Sequence, residues 1–158
     1  MNRETRKLLG TLTEAGVEDA EVIVSAQCNR VPVLDGHTEC VSVRLRAPAS
    51  AADVSDALRS WRSPIAALAL ASAPARPLRV HDDERHPQPR RHALAEGGMQ
   101  VGVGRVQDCP VLGVKFVVLS HNTIRGAAGG AILNAELLVA QGRLTRREER
   151  QSAAAATG

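Results

Sequence analysis

The stretch C-N-R-V-P-V-L-D-G-H-T-E-C-V-S-V-R-L-R, Cys28 to Arg46, decides the class of the fold, because a strand period is broken in it and then resumed. From Thr38 to Arg46 polar and apolar residues alternate, which puts Val41, Val43 and Leu45 on the inward side of a half-buried β-strand. Upstream, Pro32 implies a strand edge or irregularity, and Asp35-Gly36 favours a turn or bulge with positive φ. Arg30 and His37 stand seven positions apart, an odd separation that places them on opposite faces of an ideal strand. A break in period lets both side chains turn toward one pocket. A guanidinium grips a carboxylate with two permanently charged donors, and histidine is the side chain suited to moving protons near neutral pH. Pattern alone leaves open a surface arginine beside a structural histidine. Neither residue is a nucleophile.

On the amino-terminal side, Glu4 to Ala15 reads as an amphipathic helix with Leu8, Leu9 and Leu12 on one side, stopped by Gly16. Ala20 to Ala26 is apolar and β-branched and predicts a buried strand. On the carboxy-terminal side, Ser50 with Asp53 resembles a capping box, so a helix is expected over Ala51 to Trp61, ended by Ser63-Pro64, with Val54, Ala57, Leu58 and Trp61 as its apolar face. Ala66 to Ser72 is a candidate short helix. Pro74 to Gly98 reads as a long connection in which only Leu78 to Val80 is strand-like. Met99 to Gln107 and Gly113 to Ser120 predict two strands, the first interrupted by Gly102 and Gly104 as suits a strand closely approached by another backbone. A last helix is expected from about Gly126 to Arg143.

Length and composition limit the class of protein. The 158 residues suit one compact domain, and 44% hydrophobic with 23% charged residues describes a globular chain, not a disordered one. The longest apolar stretches, Pro64 to Ala75 and Val111 to Leu119, fall short of the roughly 20 residues that span a bilayer. The amino terminus carries early charge and no apolar signal core, so a cytoplasmic protein is expected. Net charge is +3, with Arg143, Arg146, Arg147 and Arg150 crowded near the end. Trp61 and Phe116 are the sole Trp, Phe or Tyr residues, too few for the stacking platforms of a single-strand nucleic-acid binder. No nucleic-acid or membrane partner is expected.

Several clusters have chemistry-bearing residues. The three cysteines, Cys28, Cys40 and Cys109, lack C-x-x-C spacing and argue against a disulfide framework or zinc site; Cys28 and Cys40 read as packed thiols. His81, Asp82, Asp83, Glu84 and His86 offer metal-ligand groups, but they are crowded beside prolines in no known ligand spacing and read as a solvated loop. No metal is expected. His121, ending a strand, reads as locally satisfied. The small-residue run beginning at Gly126 is not a dinucleotide fingerprint, although a helix amino terminus there exposes N–H groups that favour an anion. Asn122 adds an amide able to hydrogen-bond a cofactor, and a tightly packed strand-to-helix turn explains the same residues.

Taken in order, the blocks E-T-R-K-L-L-G, V-S-A-Q-C-N-R-V-P-V-L-D-G-H-T-E, H-P-Q-P-R, G-M-Q-V-G-V-G-R-V and V-V-L-S-H-N-T-I-R-G-A-A-G-G-A-I-L-N-A-E-L-L resemble the aspartate-semialdehyde dehydrogenase family in its archaeal and fungal branch. The resemblance runs from Glu4 to about Leu138 and covers only the carboxy-terminal half of that family. It implies an α+β fold, a mixed and largely antiparallel sheet with helices packed on one face, of the glyceraldehyde-phosphate-dehydrogenase-like kind. It further implies a catalytic and dimerisation domain over 1–142, a basic then Ala-rich tail over 143–158, and a homodimer or homotetramer formed through the sheet. Arg30 resembles the arginine that grips the substrate carboxylate and His37 the acid/base. Asn122 and Gly126 resemble the segment that approaches the nicotinamide side of NADP. Family members begin with a nucleotide-binding domain carrying the Gly-rich loop and the catalytic cysteine, and the family's E-x-K motif, which holds substrate amino and phosphate groups, is expected just upstream of Met1. Met1 is therefore expected to be an internal methionine, and the chain inactive alone. A non-catalytic interaction fragment, or the matching part of a malonyl-CoA reductase, are the alternative readings. The chain departs from the pattern R-P-Q-P-R-L-D, with His86 and His92 at its ends and Arg91 within, and from V-G-R-[IV]-R, with Gln107 at its end.

Overall fold

The computed structural model describes residues 2–144. Of the expected tail over 143–158, only Arg143 and Leu144 are within that range; Arg146, Arg147 and Arg150 lie outside the described residues. The chain divides between Pro32 and Val33 into two units, where the sequence predicts a single domain over 1–142.

The first unit contains helix α1 (Asn2–Leu8) and an antiparallel hairpin of β1 (Thr11–Thr13) and β2 (Gly16–Glu18). The helix expected to reach Ala15 stops at Leu8 because the chain turns back on itself at Gly10, where a Cβ would stand 2.1 Å from the carbonyl oxygen of Glu18. Gly16 ends no helix; at φ +127° it begins the return strand of the hairpin. The strand expected over Ala20 to Ala26 does not form, and Ile23 is fully exposed. An apolar β-branched run becomes a strand only when a neighbouring edge supplies its ladder, and none pairs with it among the described residues.

The second unit is built on a four-stranded mixed sheet of order β3-β6-β5-β4, with β3 (His37–Val43), β4 (Leu78–Val80), β5 (Val101–Cys109) and β6 (Gly113–Ser120). The pairs β3–β6 and β6–β5 are antiparallel and β4–β5 is parallel, in agreement with the expected α+β class. The central strands carry the core, where Val103, Val114 and Leu119 are buried. The alternation through Arg46 holds only as far as Val43, where pairing ends; Leu45, expected inward, is exposed. Between Gly104 and Gln107 the register with β6 shifts by a bulge, and Arg105 in it adopts φ +53°.

Helix α2 (Ala51–Ser60) begins as the sequence predicts: the Ser50 hydroxyl accepts from the Asp53 N–H, and the Asp53 carboxylate accepts from the Ser50 N–H at 2.9 Å. Two attachments hold it to the sheet. Asp108 accepts from the Ala51 N–H at 2.9 Å, and Arg59 pairs with Asp82 just beyond β4. Asp108 shares its face of the sheet with its partner Val114 and with Val103, so α2 lies on that side. Val54 and Leu58 are half-buried there, but Ala57 and Trp61 are exposed.

The segment expected as a connection is more ordered than composition suggests. It contains β4, the short helix α3 (Pro89–His92) and a 3₁₀ turn over Ala95–Gly98, whereas the candidate helix at Ala66 to Ser72 is reduced to a 3₁₀ turn at Ala66–Leu68. On the sheet face opposite α2, the glycines of β5 seat this segment. A Cβ at position 104 would lie 2.2 Å from the His86 carbonyl oxygen and 2.9 Å from Pro87 Cδ, and one at position 102 would lie 3.2 Å from His81 Nε2. The last helix, α4 (Gly129–Ala140), starts later than the expected Gly126, because a wider turn over Ile124–Ala128 precedes it.

Gly104→Ala drives a methyl into a backbone carbonyl that has nowhere to go, so it should lower stability by about 1–3 kcal/mol. Gly102→Ala meets the His81 imidazole edge at 3.2 Å and Pro87 Cβ at 3.4 Å, both looser than the carbonyl at position 104, and should cost less. Urea unfolding of the two variants checks the order; equal midpoints would contradict the close approach at position 104.

Candidate functional site

Strand β3 starts where its chemistry is concentrated. Gly36 is buried at φ +107°, a conformation open to glycine, and a Cβ there would approach Leu119 Cδ1 to 3.1 Å. Its N–H donates to Asn122 Oδ1 at 2.8 Å, across 86 positions of sequence. The next residue, His37, pairs with Ser120 at the end of β6, two residues before Asn122. The structure thus brings His37 and Asn122 to one end of the β3–β6 pair. The His37 side chain is exposed, as a group that exchanges protons with a ligand must be.

The turn leaving β6 is organised by His121. This residue is 3% exposed, and its Nδ1 accepts from the N–H groups of Thr123 and Ile124, both at 3.3 Å. The ring is consumed by its own turn, as expected. Gly126 follows, donating its N–H to the His121 carbonyl at 2.9 Å. Of the small residues here, Gly129 and Gly130 are required by packing: a Cβ at Gly129 would stand 2.6 Å from Met99 Sδ, and one at Gly130 2.6 Å from the Arg125 carbonyl oxygen. Gly126 is different. A Cβ there would meet only the His121 carbonyl at 3.5 Å, an ordinary contact, so this position is exposed and open on its outer side.

Arg30 belongs to the first unit, and His37, Asn122 and Gly126 belong to the second. Its side chain is exposed. Cys28 and Cys40, read from the sequence as packed thiols, are exposed as well; for Cys40 the reason is that β3 is an edge strand. The β3–β6 end offers one amide donor. Asn122 Oδ1 is engaged by Gly36, which leaves the Nδ2 hydrogens for a carbonyl, and the open surface at Gly126 admits a planar group.

The sequence pattern misplaces the histidines. His81, His86 and His92 are half-buried, not solvated, and their rings meet edge to face with centroids 4.6 to 5.5 Å apart. His92, absent from the crowded run 81–86, joins it because helix α3 folds back over the loop. Spacing could not reveal this. Burial pushes the His81 imidazole down to about 4, helped by His92, Arg79 and His86, and burial pushes His92 down as well.

Similarity to known proteins is extensive. The model of the semialdehyde dehydrogenase dimerisation domain matches residues 1–125. An aspartate-semialdehyde dehydrogenase of Candida albicans is 46% identical over 145 residues, 87% of this chain and 40% of that protein, and one of Methanothermobacter thermautotrophicus is 46% identical over 137 residues, 85% of this chain and 40% of that protein. The crystal structure of the Candida albicans aspartate semialdehyde dehydrogenase with NADP superimposes with a TM-score of 0.81 at 43% identity, covering 90% of this chain and 42% of that one. Aspartate semialdehyde dehydrogenase II of Vibrio cholerae gives 0.53 at 35% identity, over 70% and 29%. The chain spans about two fifths of the length of the curated relatives it matches.

Asn122→Ala leaves the Gly36 N–H buried without an acceptor and should cost about 1–3 kcal/mol, whereas Asn122→Asp keeps an acceptor oxygen and should retain most of the stability. Hydrogen exchange at the Gly36 amide reads this directly. Unchanged protection in Asn122→Ala would contradict the assigned bond.

Proposed function

The chain belongs to the semialdehyde dehydrogenase dimerisation-domain family, and on that premise we propose that it is the substrate-handling part of an NADP-dependent aspartate-semialdehyde dehydrogenase. The observation that carries this reading is the gathering of His37, Asn122 and Gly126 at one end of β3–β6, in a chain so similar to a protein whose crystal structure holds NADP. The substrate is a small amino-acid aldehyde or its acyl phosphate.

Each residue has a role set by its chemistry. Arg30 presents a planar fork of N–H donors, which matches the two oxygens of the substrate carboxylate and orients the molecule without reacting. His37 takes the proton of the adduct hydroxyl as its carbon is oxidised, and returns one in the reverse direction. Asn122 and the backbone at Gly126 hold the amide side of the nicotinamide. NADP, when bound, supplies the hydride chemistry. The resemblance places the thiolate that forms the covalent adduct in the nucleotide-binding domain, outside the matched region, so the 158-residue chain alone is proposed to give no turnover.

The same reading makes the protein a homodimer or homotetramer paired through its sheet. It is supported by the dimerisation-domain match and by the exposure of Thr38, Cys40 and Ser42 along edge strand β3.

A hybrid joining this chain to the nucleotide-binding domain of the Candida albicans relative tests both points. Arg30→Lys should raise KM for the semialdehyde roughly 10- to 100-fold with little change in kcat, the loss expected of a two-pronged grip reduced to a point charge. His37→Gln should lower kcat roughly 100- to 10,000-fold with little change in KM. Wild-type rates in either variant would overturn that role, and a strictly monomeric hybrid on sedimentation would overturn the pairing.

A further inference from the structure

The three histidines seated on the β5 glycines play no part in the proposed dehydrogenase chemistry. His81 follows β4, with its N–H donating to the Val103 carbonyl at 2.8 Å; His86 stands in the loop; His92 ends α3. Each offers one ligand nitrogen, and the three nitrogens all lie within 4.8 Å of one another. We propose that His81, His86 and His92 form a binding site for one divalent transition-metal ion, with zinc(II) as the cation that suits three imidazoles and one open position.

Distances support the assignment. Zinc–nitrogen bonds of about 2.0–2.1 Å in a tetrahedral site hold their donor atoms about 3.3 Å apart. The three nitrogens, already within 4.8 Å of one another, need to close by at most about 1.5 Å to reach that spacing. The glycines beneath let the loop that carries two of the histidines lie directly on β5, with Gly102 against His81 Nε2 and Gly104 against the His86 carbonyl.

The outer contacts are of the kind that orient metal-binding imidazoles. His92 Nδ1 lies 3.1 Å from the Gln88 carbonyl oxygen and 2.9 Å from the Gln88 N–H. The Gln88 N–H donates to that nitrogen; Nε2 becomes the ligand in the tautomer protonated at Nδ1, which exchanges this bond for one to the Gln88 carbonyl. Arg79 and Arg91 oppose a cation here, and the Asp82 carboxylate partly offsets them.

No thiolate or carboxylate belongs to the cluster. All-imidazole ligation selects against magnesium and calcium, which prefer oxygen, and favours zinc, with copper and nickel as competitors. Two of the three ligands, His86 and His92, occupy the ends of the block where this chain departs from R-P-Q-P-R-L-D. The bound ion would tie the end of β4, the loop and the end of α3 to one point.

The test uses the untagged 158-residue chain, stripped with a chelator and titrated with zinc chloride by calorimetry and with cobalt(II) by visible absorption. One ion per chain is expected, with a rise in the unfolding temperature and a four-coordinate cobalt spectrum lacking thiolate charge-transfer bands. The double variant His86→Arg with His92→Asp should stay folded by circular dichroism and lose roughly 100-fold or more in affinity, while His37→Asn should bind zinc unchanged. Double-variant affinity within threefold of wild type, or thiolate bands from cobalt, would overturn the proposal. Should the double variant fail to fold, the ring resonances of the wild-type chain decide. Stoichiometric zinc must shift those of His81, His86 and His92 and leave His37 and His121 in place, and any other pattern overturns the site.

Discussion

One hydrogen bond, from the Gly36 N–H to Asn122 Oδ1, ties the beginning of edge strand β3 to the exit of β6. Edge strands fray from their ends because half of their ladder faces solvent. His37 is the first residue of such a strand, exposed and paired only through Ser120. The bond one residue earlier anchors it, and Leu119, buried at 1% exposure beneath Gly36, gives the anchor a packed base. The position of the proposed acid/base is therefore anchored by a contact between a glycine and an asparagine.

The two faces of the sheet are used differently. On one, α2 is held by Asp108 and by the Arg59–Asp82 pair, with Val54 and Leu58 half-buried. On the other, β5 dispenses with side chains at positions 102 and 104 and lets a loop backbone lie directly on the strand. That exchange places three imidazoles in contact. The central strand thus supports the candidate acid/base through β6 at one end and a second cluster of donors through the loop.

Much of this was legible in the sequence, for local reasons. The Ser50-Asp53 cap, the strands around Val103 and Leu119, and the close backbone at Gly104 each announce themselves within a few residues. What failed was non-local. Ala20 to Ala26 has the composition of a buried strand and lacks a partner edge among the described residues; the pattern records a need for burial, not what satisfies it. Glu4 to Ala15 kept helical spacing past the point where Gly10 admits the Glu18 carbonyl. The histidines defeated spacing rules because His92 reaches His81 only through the fold of α3. Arg30 and His37 were visible as residue types with suitable chemistry, and the roles proposed for them rest on the resemblance.

The central claim is that the β3–β6 end carrying His37 and Asn122 is where the substrate reacts. The most direct measurement is a crystal structure of the hybrid enzyme with aspartate semialdehyde bound. The account predicts the reacting carbonyl within hydrogen-bond reach, about 2.6–3.2 Å or one water away, of the His37 ring. Substrate density remote from that strand end, with His37 facing bulk solvent, would contradict it.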